Sequence, residues 1–124
     1  MDVSNRRRRT LTAAVLLAVA ALALVGCGGD DKALTAPSVT VHMGEFFYRP
    51  ADLTVARNSA LTVVNDGAVV HTWIVKGAGV GTAGLAPGAS IIVDLKGIAP
   101  GTYTVFCDQP GHTQSGQTGT LTIT

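Results

Sequence analysis

The sequence is short of charge: 14% of its 124 residues are Asp, Glu, Lys or Arg, against roughly 25% in an average soluble domain. Aromatics (5%), methionine (two) and cysteine (two) are also scarce. So low a charge content argues against long solvated helices. It also leaves no basic surface for a nucleic-acid backbone. Arg6, Arg7, Arg8 and Arg9 supply four of the nine cations, and beyond residue 26 five basic residues face seven acidic ones, a net of −2. From Val39 onward no window sustains an apolar 3.6-residue period, so amphipathic helices are absent from the expected fold.

One long hydrophobic run is present, Leu11–Val25, and its 15 residues fall short of the roughly 20 that span a bilayer core as a helix. Behind the arginines it reads as an export signal over residues 1–26. Leu24-Val25-Gly26-Cys27 resembles a bacterial lipobox, which implies cleavage before Cys27 and lipidation of its thiol. Arg8-Arg9-Thr10-Leu11 resembles a twin-arginine signal, although a plain arginine run accounts for it equally. Residues 27–37, small and polar, suit a flexible tether. The expected location is extracytoplasmic, in the periplasm or at the cell surface, anchored to a membrane through Cys27. With Cys27 lipidated, Cys107 stands alone in the mature domain. A lone thiol in an oxidising compartment is a liability unless it is buried or bound.

Residues 38–124 read as an all-β domain, a Greek-key β-sandwich of about seven to eight strands. Strands are expected near 38–43, 53–56, 60–65, 70–75, 90–95, 101–107 and 118–124. The turns between them are Asp66-Gly67, Pro87-Gly88, Pro100-Gly101 and Pro110-Gly111. Alternation places Tyr103, Val105 and Cys107 on one face, and Leu121 with Ile123 opposite Thr120, Thr122 and Thr124. One buried face and one wet face is the pattern of antiparallel sheets. Gly77–Ala89 is the longest expected loop. Trp73 is expected in the core, Phe46, Phe47 and Tyr48 in packing and edge cover, and Arg49 and Arg57 at the surface.

The chemistry concentrates near the C-terminus, in Cys107-Asp108-Gln109-Pro110-Gly111-His112 and the residues up to Gln117. Thiolate and imidazole together favour soft or borderline metals such as copper or zinc. Pro110-Gly111 forces a turn that lets Cys107 and His112 face one point. A third ligand must come from another strand, and His42 and His71 are available. His71 follows the Asn65-Asp66-Gly67 turn at the same loop-rich end, whereas His42 lies opposite Val39, Val41 and Met43, on the wet face.

Taken in order, Gly44-Glu45-Phe46-Phe47-Tyr48-x-Pro50, Leu53-Thr54-Val55, Asn65-x-Gly67-x3-His71 and Gly101-Thr102-Tyr103-x3-Cys107-x2-Pro110-Gly111-His112 resemble the cupredoxins, the small blue copper proteins. The resemblance implies a Greek-key sandwich with one type 1 copper per chain, held by His71 Nδ1, Cys107 Sγ and His112 Nδ1. It also implies an electron carrier rather than an enzyme, with His112 as the port for redox protein partners. Ala68, Val69, Ala86, Pro87 and Pro110 would form an apolar rim around it. A monomer is expected, with no nucleic-acid partner.

The axial slot departs from the plastocyanin-like and azurin-like pattern: Gln117 stands where those proteins place Met. Stellacyanin-type proteins carry Gln there, which implies an axial amide oxygen. That donor is harder than a thioether and favours Cu(II), so a lower potential is expected than with Met. The Gln109 backbone N–H is expected to donate to the Cys107 sulfur, and Thr72 and Asp108 to tie the two ligand loops together. Flanking residues Phe106 and Asp108 do not match multicopper oxidases, which place His on both sides of the Cys. Gly111 occupies the position of the second Cys of a binuclear centre. The rival readings are a copper module for storage, delivery or sensing, and a metal-free interaction sandwich.

Overall fold

The structure, a computed structural model, describes residues 39–124. The expected signal, Cys27 and the tether lie outside the described residues. Among those residues there is no helix, and hence none long and apolar enough to cross a membrane. Nine strands follow in order: β1 (Thr40–Gly44), β2 (Phe47–Arg49), β3 (Asp52–Val55), β4 (Ala60–Asn65), β5 (Ile74–Val75), β6 (Val80–Gly81), β7 (Ser90–Asp94), β8 (Gly101–Phe106) and β9 (Thr118–Ile123). They form two sheets, β2-β1-β4-β7 and β3-β9-β8-β5-β6, so the all-β sandwich expected from the alternation is what the chain builds.

Alternation drives the layering. Along β4, Leu61, Val63 and Asn65 point inward while Ala60, Thr62 and Val64 are half-buried. Val41 and Met43 of β1 and Leu121 and Ile123 of β9 meet them, with Trp73, Val75 and Val105 completing the middle. Each fully buried aliphatic side chain of this size contributes about 1.5–3 kcal/mol.

Three details differ from the sequence reading. The sheets are mixed rather than purely antiparallel, because β1 pairs with β4 and β3 with β9 in parallel. The chain visits the second sheet with β3 between β2 and β4, so β4 returns running in the direction of β1. Two short strands, β2 and β6, lie where no strand was expected, and β6 divides the Gly77–Ala89 segment. Finally, the strand expected over 70–75 survives only as Ile74–Val75, preceded by an isolated bridge between His71 and Leu85. The backbone of Thr72 and Trp73 is claimed by side chains instead: Thr72 N–H points to Cys107 Sγ at 3.4 Å, Thr72 C=O accepts from Tyr48 Oη at 2.6 Å, and Trp73 N–H donates to Thr82 Oγ1 at 3.0 Å.

The registers bring the site to one pole. Gly44 opposes Phe47, Met43 opposes Asn65 and Phe106 opposes Thr118. The end of β1, the end of β4 and the β8–β9 connection therefore emerge side by side.

Candidate metal centre

Cys107 directly follows β8, and the loop to β9 folds back on itself. Gly111 adopts φ 82°, a left-handed turn conformation that a β-carbon would penalise. His112 N–H donates to Gln109 C=O at 3.1 Å, Gln117 N–H to His112 C=O at 3.0 Å, and Thr113 Oγ1 to Cys107 C=O at 2.6 Å. The arm bearing His71 is shaped by Asn65, which is fully buried. Its Nδ2 donates to Val69 C=O and Leu85 C=O, both at 2.8 Å, and its Oδ1 accepts from Gly67 N–H at 2.9 Å. Sequence reading placed Asn65 in a turn motif but missed this role as a clamp.

His71, Cys107 and His112 converge, with their ligating atoms all within 4.8 Å of one another. His112 Nδ1 lies 3.1 Å from His71 Nδ1 and 3.5 Å from Cys107 Sγ. Gln117 Oε1 stands 2.8 Å from His71 Nδ1, while Gln117 Nε2 faces Gly44 C=O at 3.2 Å and Phe47 C=O at 3.5 Å. Those carbonyls take the amide's donor side and turn its oxygen inward. His71, Cys107 and Gln117 are buried and His112 is half-buried.

Two imidazole nitrogens, a thiol sulfur and an amide oxygen thus present lone pairs to one small volume. Bonds of about 2.0 Å to nitrogen and 2.3 Å to sulfur around a shared ion place trigonal donors on the order of 3.5 Å apart. The observed 3.1 and 3.5 Å edges fit a single cation, and imidazole with thiol is the donor set of a copper or zinc ion. His42 takes no part: it is exposed, and its Nδ1 lies 2.6 Å from Asp66 Oδ2.

The surroundings hold the donors in place. Thr72 N–H supplies the hydrogen bond to sulfur. The Gln109 backbone N–H, expected in that role, makes no such bond, because Asp108 N–H turns to Thr72 Oγ1 at 3.0 Å and the chain then bends away through Pro110. Thr72 Oγ1 in return donates to Asp108 Oδ1 at 2.9 Å, joining the two ligand loops. The Gln109 side chain reaches Asp108 Oδ1, at 3.4 Å. Behind Thr72, burial pushes the Tyr48 phenol well above its ordinary range, and the nearby Cys107 and Asp108 add to the shift.

Nothing in the residue pattern marks Glu45 for a role at the site. Its Oε1 accepts from Ala68 N–H at 2.5 Å and Val69 N–H at 3.1 Å, and lies 3.4 Å from His71 Nε2. The Ala68 N–H is the main cause that holds its carboxyl below the usual glutamate value. Ala68, Val69, Ala86, Pro87 and Pro110 are exposed, joined by Val70 and by Phe46, whose ring meets the His112 ring edge-on at 5.0 Å.

The family model of cupredoxin-like domains matches residues 13–123. Among solved structures, the chain is similar to the dithionite-reduced auracyanin of the photosynthetic bacterium Roseiflexus castenholzii, at 24% identity and a TM-score of 0.62, over 69% of this chain and 95% of that one. It is similar to an azurin (Az-iso2) of Methylomonas sp. strain J, at 19% identity and a TM-score of 0.59, over 69% and 96%. It also aligns with 22% of a copper-containing nitrite reductase of Thermus scotoductus, at 18% identity and a TM-score of 0.57, over 69% of this chain. At these identities the structural likeness speaks for the fold. No curated protein matches the chain.

Proposed function

Since the chain belongs to the cupredoxin-like family, we propose that it is a membrane-tethered, mononuclear copper protein that passes single electrons between redox partners. His71 Nδ1, Cys107 Sγ and His112 Nδ1 would hold the copper, with Gln117 Oε1 as a weaker fourth donor. The carrying observation is the convergence of these four side chains from two loops on one point, with Gln117 Nε2 engaged elsewhere. When bound, copper supplies a one-electron couple between its cuprous and cupric states.

The residues do the rest. Thr72, Asp108 and Thr113 fix the thiol and the two loops, so the donors hold one geometry across a change of charge. That rigidity keeps reorganisation small, as fast electron transfer requires. Three donor residues are at most 1% exposed, which favours a resident ion over one handed on by storage or delivery. His112, alone half-exposed among the donors and met edge-on by Phe46, offers a partner an edge to approach. A small apolar contact of this kind suits a transient redox encounter. Lipidation of Cys27 would hold the domain at the membrane surface, outside the cytoplasm.

The test is to add cupric salt to the purified protein and record its visible spectrum. The expected result is uptake of one equivalent with an intense thiolate-to-copper band that a reductant bleaches and an oxidant restores. Uptake without such a band, or a band that does not cycle, overturns the electron-carrier reading. Nitrite added to the reduced protein is expected not to reoxidise it, as befits a carrier without a catalytic site.

A further inference from the structure

We propose that Glu45 is a positioning residue that sets the orientation of His71 and biases the copper couple toward its oxidised state. This rests on the reading of His71 as a copper ligand. Three observations support it. Glu45 Oε1 accepts from two successive backbone amides, Ala68 and Val69, in the arm that carries His71. The same oxygen lies 3.4 Å from His71 Nε2, the ring nitrogen remote from the other donors. And position 67 is open for the carboxylate: a β-carbon built on Gly67 would stand 2.6 Å from Glu45 Oε1.

The chemistry follows from these contacts. A carboxylate that accepts Nε2–H keeps the proton on that nitrogen and leaves the Nδ1 lone pair facing Cys107, His112 and Gln117. Its negative charge would lie one imidazole away from a bound ion, make the ring a stronger donor, and stabilise the more highly charged metal state. Glu45 is exposed, its side chain 40% accessible, yet its oxygen is fixed by the two amides, so its charge does not wander. Asp66, also nearby in the chain, spends its carboxylate on His42 instead. Gly67 does not need a left-handed φ, and the nearest atoms an alanine β-carbon would meet there are those of the Glu45 carboxylate.

The experiment is the midpoint potential of copper-loaded protein for Glu45→Gln, Gly67→Ala, the double variant and Asp66→Asn. Glutamine keeps the acceptor oxygen and removes the charge. At the wild-type midpoint, E45Q is expected to shift the reduced-to-oxidised ratio about tenfold toward reduced, a rise of about 59 mV for one electron. G67A, which displaces the carboxylate, is expected to shift it in the same direction. The double variant is expected to match E45Q alone, since the displaced charge is already gone, and D66N to change the ratio less than twofold. In metal-free protein, Glu45→Ala is expected to speed amide exchange at Ala68 and Val69. A ratio unmoved in E45Q, additive effects of E45Q and G67A, an equal shift in D66N, or unchanged exchange at both amides each overturns the proposal. A wild-type protein without a reversible copper couple overturns the functional reading itself; a normal wild-type couple unmoved in E45Q overturns only the role of Glu45.

Discussion

The paired strands and the loops of the site are held by different bonds. Along the strands the backbone is satisfied by ladders: β8 and β9 pair from Gly101–Ile123 to Phe106–Thr118, and β4 with β7 from Ala60–Asp94 to Val64–Ser90. At the site, from Asn65 to Trp73 and from Cys107 to Gln117, much of the backbone is held by side chains of Asn65, Glu45, Tyr48, Thr82, Thr72 and Thr113. A ladder bond is indifferent to the side chain on its residue. A side-chain-to-backbone bond is lost with a single substitution, and here each lost bond loosens a loop that carries a donor. Substitutions near the site should therefore cost both stability and redox properties, while exposed ladder positions should tolerate change.

The sharpest contrast is Asn65→Ala. It leaves Val69 C=O and Gly67 N–H without their partner and removes a bond to Leu85 C=O. The expected loss is about 2–3 kcal/mol in urea unfolding; a loss below 0.5 kcal/mol would erase the distinction between strands and site loops. Tyr48→Phe removes the 2.6 Å bond to buried Thr72 C=O, and about 1–2 kcal/mol is expected from one such partner. This variant also carries a pH signature. The folded state raises the Tyr48 phenol above its ordinary value, chiefly through burial. The proton is thus held more tightly folded than unfolded, and the stabilisation is complete below about pH 10 and declines as pH rises beyond it. Stability of the wild type is expected to fall above that pH, and that of Y48F to fall less.

Gln117→Met replaces an amide oxygen by a softer thioether. The midpoint potential is expected to rise by about 59 mV or more, a tenfold change in the redox ratio; an unchanged or lowered potential would remove Gln117 from the axial position. At the smallest end, Ile92 on the outer strand β7 is 60% exposed. Ile92→Thr is expected to change stability by less than about 0.5 kcal/mol and to leave the potential unmoved, as thermal melts and voltammetry would show.

Much of the fold was legible because period-2 alternation is local. Val41 and Met43, Leu61 and Val63, and Leu121 and Ile123 each announce an inward face within one strand. β2 and β6, of three and two residues, are too short for a period to register. The parallel pairs escaped because strand direction depends on which sheet the chain visits next, and no residue pattern states that. At the site, Cys107, His112 and Gln117 were visible through their spacing in one loop, and His71 through the turn before it. Glu45 was hidden because its partner lies 26 residues away. The sulfur's donor was misplaced for a related reason: nearness along the chain suggested Gln109, while the fold brings Thr72 to Cys107 from 35 residues away.

The central claim, that Cys107 and two histidines share one ion, is tested most directly by X-ray absorption at the copper edge of the loaded, oxidised protein. One sulfur and two imidazole nitrogens in the nearest shell, with the sulfur lost in Cys107→Ser, is the predicted result. A nearest shell of nitrogen and oxygen alone would contradict it.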